Sequence, residues 1–305
     1  MLSGAVERHV ALMRTCGFVF DRQAELLTGY AAFAEACGDT HVRTQTVLEW
    51  SRRAGTHLQR RILYLTVRRF AVAAVAEDTR HAVPPPDLLP RAAKQRPTPY
   101  IYAPQQIAAL VAVADRAESR RCRVPGQYRV LFGLLAATGM RISEALGLDP
   151  CDVTPDGLLI REAKRRGRRL LPLHPTVETV LGAHLVRRAC VLDASGAIFL
   201  GDRGGRLCYG TAHATFQRML ALMEMTGAAK EGRNPRIHDL RHTFAVRSLE
   251  ACAAERSAVA RHMLALSSWL GHVNIVDTYW YLAGTPAVLS GIAARTEAFA
   301  AGARP

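Results

Sequence analysis

The chain has 305 residues, 49% of them hydrophobic and 22% charged, which is enough for two ordinary cores and excludes a disordered or fibrous protein. Forty Lys plus Arg against twenty-six Asp plus Glu leave a formal charge of +14, which calls for an acidic partner, nucleic acid first among them. No apolar run reaches the length of a membrane span, and the first twenty residues, broken by Glu7, Arg8, His9 and Arg14, hold no signal-peptide core, so a cytoplasmic location is expected.

Up to residue 82 the pattern is helical. Apolar spacing predicts helices over Asp21–Ala36, Thr44–Arg53 and Thr56–Ala76, with Gly38 and Gly55 as breaks, hence a small helical bundle. On the last helix Arg60, Arg61, Arg68 and Arg69 recur at intervals of seven and eight, a stripe fit either for DNA or for solvent. From Val83 to Pro99 six prolines surround Arg91, Lys94 and Arg96. That composition predicts an extended linker whose basic residues either follow a phosphate backbone or form a solvated tether. The domains expected are 1–90, a linker at 91–99, and 100–305.

Beyond the linker, helices are predicted from Ala103 or Pro104 to Ala114, over Tyr128–Ala137, and from near Ser143 after a break at Gly139. Short strands follow at Leu158–Arg161 and Arg168–Leu173, flanking a turn at Ala163–Gly167. Helices return over Pro175–Arg188, Tyr209–Met225, His238–Cys252, Ser257–Leu270 and Asn274–Leu282. The fold class expected is mainly α with a small antiparallel sheet. Seven scattered cysteines without a CxxC pair are expected to be reduced and mostly buried. The glycine-rich GDRGGR at 201–206 lacks the Gly-Lys-Ser/Thr of a nucleotide loop and is expected to be a turn.

Three segments carry chemistry. In ATGMRISEALGL, Gly139 and Met140 put Arg141 at a helix start, where a guanidinium and the helix amino terminus suit a phosphate, and Glu144 lies one turn on to hold it. In RNPRIHDLRHTFA, His238, Arg241 and His242 lie along one side of a helix. His-x-x-x-His is also half of a metal site, but position 239 is aspartate, so no HExxH general base is present, and an arginine between the histidines opposes a cation. In SSWLGHVNIVDTYWYLAG, His272 follows the helix-ending Gly271, and Tyr279 and Tyr281 lie on the next predicted helix, two apart and therefore on nearly opposite sides.

Taken in order, these segments resemble the tyrosine recombinase or phage integrase family over about residues 104–285. The resemblance implies Arg141, His238, Arg241 and His272 as catalytic groups around a phosphate, Tyr281 as nucleophile, and Lys164, eight residues before Pro172, as the acid in the hairpin turn. It also implies a helical first domain that binds DNA. The turn reads Lys-Arg-Arg-Gly, so Arg165 and Arg166 join the candidate DNA contacts, and EACAAERSAVARHM lengthens the stretch between Arg241 and His272. The phrases HTFAVRSL and DTYWYLAGTP look like recombinases of mobile elements. The implied reaction is cleavage and rejoining of DNA through a 3′-phosphotyrosyl bond, with no metal and no cofactor. The implied partner is a double-stranded recombination site held by a homotetramer, the free protein being a monomer or weak oligomer. The tail from Ala287 to Pro305, with Val288, Leu289, Ile292 and Phe299 at helical intervals, docks either on a neighbour or in cis. A non-catalytic helix-turn-helix regulator and a histidine-based metallohydrolase are the competing readings.

Overall fold

The computed structural model describes residues 1–90, 98–161, 168–192, 195–252, 256–272 and 278. The chain divides into two compact units, Met1–Arg96 and Pro97–Pro305.

The first unit is built from four helices: α1 (Leu2–Thr15), α2 (Asp21–Ala36), α3 (Thr44–Arg52) and α4 (His57–Glu77). Helix α1 was not among the expected elements. Its apolar signal is three residues spaced by four, Leu2, Val6 and Val10, and all three are buried against α2 and α4. Tyr30 and Trp50 meet edge to face at 5.5 Å in this core. The Thr56 hydroxyl accepts the Gln59 amide at 3.2 Å and caps α4 directly after the Gly55 break.

The first half of the proline-rich stretch departs from the expected tether. Residues 83–90 form a strap on α4: the Tyr64 hydroxyl donates to the Pro85 carbonyl at 2.6 Å, the Arg61 guanidinium donates to the Leu89 carbonyl, and Leu89 packs on the core. Prolines lack a donor but keep their carbonyls, and here side chains of α4 use them. Arg91, Lys94 and Arg96 lie outside the described residues.

The second unit wraps α5 (Pro104–Ala117), α8 (Pro175–Ala189), α9 (Tyr209–Leu222), α10 (Ile237–Glu250) and α11 (Arg256–Leu270) around α6 (Gln127–Thr138). Helix α6 is apolar nearly all round, with Tyr128, Val130, Leu131, Phe132, Leu134 and Leu135 buried, as a central helix must be. The short α7 (Ile142–Leu146) leads into an antiparallel sheet of β1 (Val153–Thr154), β2 (Gly157–Arg161) and β3 (Arg168–Leu171), in that order. Leu158 pairs with Leu171 and Ile160 with Arg169, so Leu158, Ile160, Arg169 and Leu171 share the inward face. GDRGGR is a turn, closed by the Gly201 amide on the Gly205 carbonyl at 2.8 Å. Within the stretch EACAAERSAVARHM, Glu250 ends α10 and residues 256–263 begin α11, and the two helices pack together through Ala245, Leu249, Met263 and Leu266.

The cysteine expectation fails. Cys16, Cys37, Cys151, Cys190 and Cys208 are exposed, and Cys122 and Cys252 are half-buried. Cys16, Cys37 and Cys190 close helices and Cys208 opens one, where the chain leaves the core for solvent. Among the described residues no helix is long and apolar enough to cross a membrane.

Candidate active site

The site is assembled where three helix ends meet. Helix α6 stops at Gly139, which adopts a left-handed φ of +64°; a Cβ there would stand 2.5 Å from Phe244 Cδ1 on α10, so only glycine lets α10 approach. Arg141 follows as the cap of α7. The Glu144 carboxylate accepts the Arg141 amide through Oε2 and the Arg141 guanidinium through Oε1, both at 2.8 Å. The expected arginine–glutamate pair is therefore present, with the Glu144 side chain 8% and the Arg141 side chain 38% exposed.

Helix α10 starts in a similar way. The buried Asp239 carboxylate accepts the Arg236 amide and guanidinium, each at 2.8 Å, and fixes the first turn. His238, Arg241 and His242 then project from this turn and the next. The two imidazoles meet edge to face at 4.6 Å. Arg241 is only 2% exposed, and its guanidinium donates to the Gly139 carbonyl at 2.9 Å and the Leu270 carbonyl at 2.7 Å. Those acceptors carry no formal charge, so the two bonds aim the guanidinium without neutralising it.

The carboxyl end of α11 gathers the rest. Its last carbonyls have no partner inside the helix and carry the negative end of the helix dipole, roughly half a charge. Three arginines answer them in succession: Arg169 Nε donates to the Trp269 carbonyl at 3.0 Å, Arg241 Nη2 to that of Leu270, and Arg141 Nη2 to that of Gly271 at 3.2 Å. His272 comes next in the chain. Its amide donates to the Ser267 carbonyl at 3.0 Å and its Nδ1 lies 2.7 Å from the Thr278 hydroxyl. Arg141, His238, Arg241 and His272, distant in sequence, are thus brought into one cluster.

Burial, reinforced by the positive charges of the cluster, governs its histidines. His238 presents an exposed edge, yet loss of hydration at its base, followed by the charges of Arg241, Arg236 and Arg141 and opposed by Asp239, lowers its pKa to about 4. Burial, then His238, Arg236, Arg241 and His272, lowers that of His242 to about 3. Both rings are neutral at pH 7, so His238 is a proton acceptor. For Glu144, burial raises the pKa, but hydrogen bonds and charge from Arg169 and Arg141 outweigh it and leave a net lowering.

The buried His242 makes stability pH-dependent with a defined sign. An unfolded chain takes up this proton near 6.5 and the folded protein only near 3, so the unfolded state binds more protons between those values. Stability is full above 6.5 and falls as the pH drops toward 3. The urea midpoint of the wild-type protein is expected to fall between pH 7 and pH 5. In His242→Gln that fall should be visibly smaller; an unchanged slope would show that His242 is not its source.

The metallohydrolase reading finds little here. Among the described residues, Asp149, Cys151 and Asp152 have ligand atoms close enough to share an ion, and neither His238 nor His242 belongs to such a group. Arg206 already holds Asp149 at 2.6 Å and Arg161 holds Asp152 at 2.5 Å.

A family model described as "Phage integrase family" matches residues 102–287, more than half of the chain and the whole of this cluster. The chain belongs to the phage integrase family. It is a tyrosine recombinase. The "Putative integrase/recombinase y4rB" of Sinorhizobium fredii is 35% identical over 96% of this chain and 96% of its own length. Among solved structures, the XerH site-specific recombinase bound to palindromic difH substrate superposes with a TM-score of 0.65 at 17% identity, covering 91% of this chain and 79% of that one. A lambda integrase tetramer bound to a Holliday junction gives 0.59 at 17% identity, covering 90% and 77%. At such identities the two structures speak for the fold.

Other predicted residues fare differently in this recombinase. Lys164, Arg165, Arg166, Tyr279 and Tyr281 lie outside the described residues. On α4 the four arginines do not form one stripe, because nine residues at about 100° each put Arg69 half a turn from Arg60. Arg60 Nε donates to the Ala54 carbonyl at 2.9 Å and Arg61 to Leu89, Arg68 is half-buried, and Arg69 is exposed. Sequence reasoning passed over Arg169 as a catalytic-site residue. Its only local signal is the inward phase of the RRLL strand, visible once Leu171 is known to be buried.

Proposed function

We propose that this recombinase cuts and rejoins double-stranded DNA at a specific site through a 3′-phosphotyrosyl intermediate. The observation that carries the reading is the convergence of Arg141 and Arg241 on the α11 terminus beside His238 and His272. A phosphodiester repels nucleophiles, and its nonbridging oxygens gain charge in the transition state. Donors already in position at those oxygens stabilise that charge most, and Arg141, Arg241 and His272 take this role. His238, neutral at pH 7, accepts the proton of Tyr281 during attack; burial is the main cause of its lowered pKa, and the incoming phosphate offsets the arginine charges that add to it. Lys164 protonates the departing 5′-oxygen. The covalent bond preserves the phosphodiester energy, and a second strand's 5′-hydroxyl reverses the step.

Arg69, the exposed arginine of α4, the linker residues Arg91, Lys94 and Arg96, and the turn residues Arg165 and Arg166 serve as contacts to the DNA backbone in this scheme. A lambda integrase tetramer on a Holliday junction supports a homotetramer at the synapsed sites, and an enzyme that acts on DNA, with no described helix long and apolar enough to cross a membrane, suits the cytoplasm. A non-catalytic regulator would leave the buried Arg241 and the three-arginine terminus without purpose.

The test is covalent trapping. Protein incubated in chelator with a nicked duplex, whose cleaved strand end diffuses away, is expected to yield a detergent-resistant protein–DNA adduct. Noncovalent binding alone would sink the recombinase reading, and cleavage that the chelator abolished would revive the metal one.

A further inference from the structure

We propose that Arg169 is a positioning residue that sets both the orientation of Arg141 and the extent to which its charge is neutralised, through the carboxylate they share. The inference rests on the reading that Arg141 holds the scissile phosphate. It deepens that reading by asking what keeps Arg141 available.

Arg169 lies on β3 opposite Ile160, on the inward face, and its side chain is 12% exposed. All three of its side-chain nitrogens are engaged. Nη2 donates to Glu144 Oε2 at 2.7 Å, Nη1 to Glu144 Oε1 at 3.2 Å, and Nε to the Trp269 carbonyl at 3.0 Å. The two contacts to the carboxylate form a fork that a lysine ammonium cannot copy. Each Glu144 oxygen thus receives one donor from Arg169 and one from Arg141.

Two consequences follow from this sharing. First, the Glu144 carboxylate cannot rotate, because its plane is fixed by Arg169 and its distance from α11 by the Trp269 carbonyl, so the Arg141 guanidinium has one resting orientation. Second, one negative charge is divided between two guanidinium groups, and the three side chains sum to +1. Arg169 is the buried member and Arg141, at 38% exposed, is the open one, so the surplus charge sits where a phosphate arrives. Without Arg169, Glu144 and Arg141 would form an ordinary neutral pair, and the phosphate would have to compete with the carboxylate for Arg141. Arg169 also binds β3, five residues beyond Lys164 in the chain, to the helix end that precedes His272.

Single-turnover cleavage of the nicked duplex at saturating protein tests this. Arg169→Ala is expected to slow cleavage about 10- to 100-fold, the usual range for a residue acting through another, with half-site affinity within about threefold of wild type. Arg169→Lys should recover only part of the rate, because it restores charge without the fork. In a Glu144→Gln background, Arg169→Ala should add little, since the shared carboxylate is already gone. A second substrate carrying a neutral methylphosphonate at the scissile position separates positioning from folding. With less charge to bind there, the penalties of Arg169→Ala and Arg141→Ala should both shrink several-fold, whereas a residue needed only for folding would slow both linkages equally. If Arg169→Ala does not fold, Arg169→Lys supplies the same comparison of linkages, with its melting temperature as control. A wild-type rate in Arg169→Ala, or equal losses on the two linkages, overturns the proposal while Arg141→Ala remains slow. An Arg141→Ala protein that cleaves normally overturns the phosphate reading itself, and this inference with it.

Discussion

Tyr281→Phe is expected to abolish the covalent adduct on a nicked site while DNA binding persists. The substitution removes one oxygen and leaves Arg141, Arg241 and His272 to hold the phosphate. A tyrosine phenol has an unperturbed pKa near ~10, so its attack depends on proton removal, the role given to the neutral His238. Loss of the attacking atom in an enzyme with a covalent intermediate costs on the order of 10⁶ in rate, far below the reach of an adduct assay. Tyr279→Phe should still form adduct, because two residues on a helix turn through about 200° and only one of the two tyrosines can face His272. The opposite pattern, with Tyr279 essential and Tyr281 dispensable, would move the nucleophile and displace the phase of the helix expected from the sequence over Asn274–Leu282.

What could be read ahead of the structure was local. Tyr128–Ala137 was expected as a helix and Gln127–Thr138 is one, because its apolar residues and the glycine that stops it are neighbours in sequence. Arg141 and Glu144 are three apart on one short helix, so their pairing follows from helical geometry. The links that build the site are of another kind. Arg169 and Glu144 are 25 residues apart, and nothing in an RRLL strand announces which carboxylate it will meet. Main-chain carbonyls are harder still. The acceptors for Arg241, at Gly139 and Leu270, are peptide groups that every residue carries, and only the crossing of α6, α10 and α11 selects them. The same reason hides the strap over α4, where Tyr64 and Arg61 bond the carbonyls of Pro85 and Leu89. The cysteine error has a different origin. Burial preference is an average over residue type, and in this chain Cys16, Cys37, Cys190 and Cys208 sit at helix termini, where solvent reaches them.

Arg241→Ala is expected to damage chemistry and fold together, because one guanidinium serves both. On the side of chemistry, removing a donor aimed at a developing oxyanion typically lowers the rate about 10²- to 10³-fold, and at saturating DNA that loss should appear in the cleavage step, with affinity nearly unchanged. On the side of the fold, the same nitrogens hold the end of α6 to the end of α11 through Gly139 and Leu270, deep enough that the residue is 2% exposed. Two charge-assisted bonds disappear and two carbonyls lose their donor, so a loss of about 2–4 kcal/mol in unfolding free energy is expected. Arg241→Lys separates the two roles. An ammonium keeps the charge but cannot span two carbonyls and a phosphate in one plane, so stability should recover in part while cleavage stays well below wild type. Urea unfolding and single-turnover cleavage, run below the transition temperature of the weakest variant, measure both quantities on the same preparations. Cleavage by Arg241→Ala within about tenfold of wild type would remove Arg241 from the phosphate clamp and leave it as a brace between two helix ends.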